Sequence, residues 1–258
     1  MTTSPSSTLV HPTSGGLHLR GVTGASTVET PGLRKIRLAV TELFEEGGVV
    51  VVDGKPGVGK TFGTRQVLSN SGVKVCWADM PDTPKGKEAN ARVFTAVTGS
   101  RPPGRMTEYA LTEETVDVLS ELKCALVIDE AQNMTTSALR QIRYLYDRPR
   151  TTALFILIGS GAISKVSHVP ELDSRVSRRV NVKELEGTEI RCLLPELHPM
   201  FANTTPEVLT QLTNHARGNL RHWARVLEVS ESLKLDPSSG ITAKAAAYII
   251  QAITGGAK

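Results

Sequence analysis

The sequence predicts an α/β protein: a parallel sheet covered by helices on both faces, followed by a small all-helical domain. Three observations carry this expectation. Gly54-Lys55-Pro56-Gly57-Val58-Gly59-Lys60-Thr61 fits the phosphate-loop pattern GxxxxGK[ST] and sits between an apolar strand run at residues 49–52 and a helical segment at residues 60–69. Short apolar runs then alternate with helical segments, which is the pattern of a parallel sheet buried on both faces. After Val182 the strand signals stop.

Taken in order, residues 1–30 are rich in Ser, Thr and Gly and lack a sustained apolar period. They are expected to form an arm, either one that orders on a partner or a plain flexible tail. From Pro31, Leu33, Ile36, Val40, Leu43 and Phe44 recur at helical spacing up to Gly47-Gly48. Further strands are expected at residues 73–78, 125–129 and 153–158, and helices at 88–97, 113–122 and 136–146. Residues 31–183 are thus assigned to the α/β domain and 184–258 to the helical one, with helices at 206–215, 220–233 and 242–253.

Composition narrows the class. A chain of 258 residues with a 40% hydrophobic fraction can build a large core and a smaller one, which excludes global disorder. The net charge of +4 is mild and permits nucleic acid without requiring it. Cys76, Cys124 and Cys192 are too widely spaced for close-paired zinc or redox motifs, so reduced thiols in a cytoplasmic protein are expected. No basic start precedes an apolar core, and the longest apolar runs are too short for a bilayer, so neither secretion nor membrane insertion is expected.

The phosphate loop carries the strongest chemistry. Glycines let backbone N–H groups curl around phosphate oxygens, and the following helix directs its positive end at the same anion. Lys60 would bridge β- and γ-phosphates and the Thr61 hydroxyl would ligate Mg²⁺. Gly54, Gly57, Val58, Gly59, Lys60, Thr61 and Phe62 are the expected nucleotide contacts.

The apolar run 125–128 ends in Asp129-Glu130, which puts two carboxylates at the carboxyl edge of the sheet. Asp129 would hold Mg²⁺, and Glu130 would orient or deprotonate an attacking water. Alone, such a pair also suits a helix cap and first turn. The next run ends in Gly159-Ser160-Gly161, where Ser160 either positions that water or is a turn residue between glycines.

These elements, with Gly218-Asn219-Leu220-Arg221, stand in the order in which the AAA+ ATPases carry them, and the chain resembles that family over residues 31–253. The resemblance implies a five-stranded core with a C-terminal helical lid, ATP hydrolysed with Mg²⁺ between them, and an arginine supplied by a neighbouring subunit. Within Asp173-Ser174-Arg175-Val176-Ser177-Arg178-Arg179 the first choice for that arginine is Arg175 and the second Arg178, with Arg179 a solvated or structural cation. Arg221 corresponds to the lid arginine acting on its own subunit's nucleotide.

The segments Leu126-Val127-Ile128-Asp129-Glu130-Ala131-Gln132-Asn133-Met134 and Phe155-Ile156-Leu157-Ile158-Gly159-Ser160-Gly161 resemble the TnsC and MuB transposition ATPases, a group overlapping with ExeA-like ATPases. That resemblance implies a homo-oligomer, ring or helical filament, that binds duplex DNA without sequence preference and engages a transposase and a target-selection factor. Two other readings stay open, an ExeA-like protein-handling or signalling ATPase and a helicase-loader ATPase.

Residues 140–183 hold nine Lys/Arg against three Asp/Glu, an excess expected to serve phosphate contacts or subunit interfaces. Residues 82–106 place Lys85, Lys87, Arg92, Arg101 and Arg105 where the resembling proteins contact DNA, with Lys85, Lys87 and Arg105 as backbone-binding candidates. Aromatic residues are only 4% of the chain, so contact through phosphates is favoured over base stacking.

Overall fold

The computed structural model describes residues 22–148 and 151–254. The described chain divides into two compact units: residues 29–184, and residues 22–28 together with 185 onward.

The first unit contains α1 (Pro31–Thr41), β1 (Gly48–Asp53), α2 (Lys60–Ser69), β2 (Lys74–Asp79), α3 (Gly86–Thr98) and α4 (Glu108–Glu121). It continues through β3 (Cys124–Asp129), α5 (Thr136–Tyr146), β4 (Leu154–Gly159), α6 (Ala162–Ser167), α7 (Pro170–Asp173) and β5 (Val176–Asn181). The five strands are parallel in the order β2-β3-β4-β1-β5. Strand β4 is thus inserted between β1 and β3, and the carboxyl ends of all three open on one edge.

The β-branched run of β1 explains its central place. Val49 and Val51 enter a core with Leu126, Ile128, Phe155 and Leu157 and with residues of α3, α5 and α7. Val50 and Val52 face the other way, onto α1 and α2. Side chains alternate across a strand, so a strand apolar throughout must be covered on both faces.

Strand β5 was not visible in the apolar pattern. Its residues, Val-Ser-Arg-Arg-Val-Asn, read as a basic run, yet they pair along β1 from Val49↔Val176 to Asp53↔Asn181. At an edge one side of the strand is wetted, and arginines are tolerated there. Helices α6 and α7 lie within a stretch to which the sequence reading assigned no helix.

The second unit packs α8 (Gly187–Leu197), α9 (Pro199–Ala202), α10 (Pro206–Ala216), α11 (Leu220–Ser232) and α12 (Ala243–Thr254) around Ile190, Leu194, Phe201, Leu212 and Trp223. Phe201 meets Trp223 edge-on at 5.4 Å between centroids. Helix α8 begins in a capping box between Glu186 and Glu189, a start that the sequence reading passed over.

The expected arm needs correction. Residues 1–21 lie outside the described residues, but Val22 and Val28 are buried in the helical core. The Ser26 N–H donates to the Leu197 carbonyl at 2.8 Å, and the Thr23 N–H donates to Glu231 at 2.7 Å. Thr30 caps α1 by accepting the Leu33 N–H at 3.0 Å. Two isolated valines carry no period, so only the packed helices reveal where they go.

Replacing Val22 and Val28 together by Ala is expected to destabilise the helical unit by about 2–3 kcal/mol. Urea unfolding in a Trp77→Phe background, where Trp223 alone reports, checks this. A free arm would give no change.

Candidate nucleotide-binding site

The phosphate loop leaves β1 at Asp53. A Cβ on Gly54 would lie 2.2 Å from the Val182 carbonyl oxygen, and the backbone at Gly54 has φ +151°, so only glycine fits. Val58 is buried and anchors the loop to the core under α1 and α2. Gly57 and Gly59 also have positive φ, and Gly59 sits at the cap of α2 with no side-chain bond to the helix N–H groups. The loop and the first turn of α2 therefore present backbone donors to an anion.

Lys60 folds back over the loop, and its Nζ donates to the Gly54 carbonyl at 2.6 Å and the Lys55 carbonyl at 3.0 Å. Phe62 is half-buried on the same turn. The Thr61 hydroxyl faces the Asp129 carboxylate at 3.4 Å. Asp129 is buried at the end of β3, opposite Asp79 in the strand register. Burial pushes its pKa up, against the Glu130 N–H and the Thr61 hydroxyl, which stabilise the charge; the carboxylates of Glu130 and Asp79 add to the rise.

Glu130 is exposed, on a backbone turned into the left-handed region at φ 55°. Ser160 follows β4, with its N–H donating to the Gln132 side chain at 3.1 Å. Lys60, Thr61, Asp129, Glu130 and Ser160 thus emerge from the carboxyl ends of β1, β3 and β4 on one edge of the sheet.

Two residues of this edge were missed. Asp53 accepts the N–H groups of Gly54 at 2.5 Å, Gly161 at 2.7 Å and Ile163 at 3.0 Å, fastening the loop to the turn after β4. An acid immediately before the first glycine was the available signal. Gln132 bonds both Glu130 and the Ser160 N–H, and nothing in the linear order marks that role.

The arginines lie elsewhere. Arg175 stands just before β5, at the sheet edge opposite the loop, and its Nε donates to Asp147 at 2.8 Å. Arg178 and Arg179 lie along β5, opposite Val50 and Val51, and pair with Glu42 at 2.9 Å and Asp173 at 2.7 Å. Arg221 is exposed in the first turn of α11, beside the Asn219 cap. The structure does not bring Arg175, Arg178 or Arg179 to their own chain's phosphate loop.

Arg140, Arg143, Arg148, Arg175, Arg178 and Arg179 each pair with an acid of the same unit. Asp147 serves two of them; burial would raise its carboxyl, but Arg175 and Arg143 hold it below its ordinary value. By contrast Lys85, Lys87, Arg92, Arg101 and Arg105 are exposed, and among the described residues none of the five is in an ion pair.

Among the described residues no cluster of three or more His, Cys, Asp or Glu could hold a metal ion. The Thr61 hydroxyl and the buried Asp129 carboxylate are a hard-oxygen pair of the kind Mg²⁺ uses when phosphates and water complete its shell. No helix among the described residues is long and apolar enough to cross a membrane.

The raised Asp129 pKa fixes a sign. The proton it holds favours the folded state at low pH, and that contribution is lost as pH rises through the raised value, so at neutral pH the buried charge is a net cost. Asp129→Asn is therefore expected to raise the melting temperature of the nucleotide-free protein at pH 7 by about 2 °C or more. The gain should fade toward pH 4, and added Mg²⁺-nucleotide should stabilise only the unsubstituted protein.

Residues 43–166 match the family model of the AAA domain. No similar sequence is found among curated proteins. The fold is similar to the Aeropyrum pernix ORC2 protein in its ADPNP-ADP complexes, with a TM-score of 0.68, 15% identity, and coverage of 93% of this chain and 72% of that one. Cdc6p from Pyrobaculum aerophilum gives 0.66 at 11% identity, covering 84% and 65%. The Aeropyrum pernix ORC1 protein in complex with DNA gives 0.61 at 16% identity, covering 92% and 68%. Residues 43–166 are therefore similar to the AAA domain, and the five-stranded α/β fold is similar to that of the ORC2 and Cdc6p structures.

Proposed function

We propose that this chain is an Mg²⁺-dependent ATPase that assembles on duplex DNA and regulates transposition, with hydrolysis releasing the assembly. The observation that supports hydrolysis is the meeting of Lys60, the Thr61–Asp129 pair and Glu130 on one sheet edge. In this reading Lys60 exchanges its two loop carbonyls for the β- and γ-phosphates. Thr61 and Asp129 hold the metal, which supplies charge neutralisation on the phosphates when bound. Glu130, exposed beside them, orients the attacking water and accepts its proton. Ser160 helps to place that water, and Arg221 senses the nucleotide from the helical unit.

Arg175 faces away from its own loop and is exposed at the far edge, which suits donation to a neighbouring copy's site. DNA binding is assigned to Lys85, Lys87 and Arg105, with Arg92 and Arg101 nearby, because these cations are exposed and, among the described residues, in no ion pair. A protein of similar fold, ORC1, is known in complex with DNA, which supports DNA as the kind of partner. Transposition, with a transposase and a target-selection factor as partners, rests on the motif resemblance at residues 126–134 and 155–161.

Incubation with a slowly hydrolysed ATP analogue and duplex DNA, followed by negative-stain microscopy, is expected to show rings or filaments. Absence of DNA-dependent assembly and of DNA-stimulated turnover would refute the DNA assignment, and preference for single strands would favour a helicase loader. Lys60→Ala is expected to lose nucleotide binding and assembly together. Glu130→Gln should bind ATP yet lose turnover by about 100-fold or more.

Arg175→Ala should bind ATP and hydrolyse it poorly. Mixing it with Glu130→Gln subunits, which still bind ATP, should restore part of the activity, because one retains the glutamate and the other the arginine. No recovery at any ratio counts against supply across an interface.

A further inference from the structure

Glu130 has two unusual properties for a residue that must aim a water. It is exposed, where a long carboxylate side chain ordinarily samples several rotamers. Its backbone also occupies the left-handed region, at φ 55° and ψ 38°, which a non-glycine residue adopts only when its surroundings impose it. Gln132, two residues on in a short 3-10 turn, bonds the Glu130 carboxylate.

Both ends of the Gln132 amide are engaged. Its Nε2 donates to the Glu130 Oε2, and its Oε1 accepts the Ser160 N–H at 3.1 Å. The opposite amide orientation would set oxygen against carboxylate and NH₂ against N–H, so the two partners define the orientation between them. Room for the amide comes from Gly159, where a Cβ would lie 2.0 Å from the Gln132 Oε1. The adjoining N–H groups of Gly161 and Ile163 are held by Asp53, which also takes the Gly54 N–H. A hydrogen-bonded path thus runs from the start of the phosphate loop, across the end of β4, to the Glu130 carboxylate.

We propose that Gln132 is a positioning residue for Glu130, fixing its carboxylate relative to the Ser160 turn and, through Asp53, to the phosphate loop. The inference rests on the ATPase reading given above. A side chain that merely tied two loops together would support stability or nucleotide affinity. A positioning residue acts on turnover, and only while Glu130 is present.

The test uses the full chain as wild type, Gln132→Ala, Gln132→Met, Glu130→Gln and the double variant Glu130→Gln/Gln132→Ala. Gln132→Met keeps the side-chain volume without the amide, in case the alanine variant folds poorly. Melting temperature, ATP affinity, kcat and KM are measured for each.

Loss of the amide is expected to lower kcat by about 10- to 100-fold, with ATP affinity within about twofold of wild type. The double variant should be no slower than Glu130→Gln alone, since the two residues act as one unit. An unchanged or raised kcat in Gln132→Met, or a double variant in which the two losses multiply, overturns the proposal while leaving the ATPase reading intact. A wild type without ATPase activity, or a Glu130→Gln protein with normal turnover, instead overturns the ATPase reading and this inference with it.

Discussion

The contact on which the site depends is the close seating of Gly54 against the backbone of Val182. The Val182 N–H donates to the Asp53 carbonyl at 2.8 Å, and the Val182 carbonyl occupies the space a Gly54 Cβ would need. The end of β1, the first residue of the loop and the exit from β5 are thereby joined in one place. Everything chemical is placed relative to that junction: Lys60 bonds back to the Gly54 carbonyl, and Asp53 ties the same peptide to the turn after β4. A parallel sheet with β4 between β1 and β3 is what brings the acidic strand end to the same edge.

Electrostatics divides the surface into two kinds of positive charge. Arg140, Arg143, Arg148, Arg175, Arg178 and Arg179 pair with acids of the same unit, Asp147 bonding two of them. Exposed pairs of this kind contribute little stability each, but they fix side-chain directions. Lys85, Lys87, Arg92, Arg101 and Arg105, in and beside α3, are exposed and, among the described residues, in no ion pair. A count of basic residues along the chain cannot make this distinction, because acids such as Glu42 and Glu113 come from distant segments.

Buried charge shows the opposite economy. Asp129 sits in a pocket that disfavours its ionised form, with Asp79 and Glu130 adding negative potential. A cation placed beside that carboxylate would offset desolvation and repulsion together.

The sequence by itself determined the parallel α/β core, the phosphate loop, Asp129-Glu130 and the starts of α1, α2, α5, α10 and α11, because those features are local. Strand runs such as that of β1 are apolar whatever surrounds them, and a glycine-rich loop between strand and helix needs no distant partner to be recognised. Only the tertiary structure decided the rest. It placed Val22 and Val28 in the helical core, turned a basic run into the edge strand β5, and paired Arg175 with Asp147. It also set Gln132 between Glu130 and Ser160 and closed Asp53 onto three backbone N–H groups. Each of these depends on which segments meet across the sheet or within the helical core. That information lies in strand order and packing, and no period or motif along the chain records it.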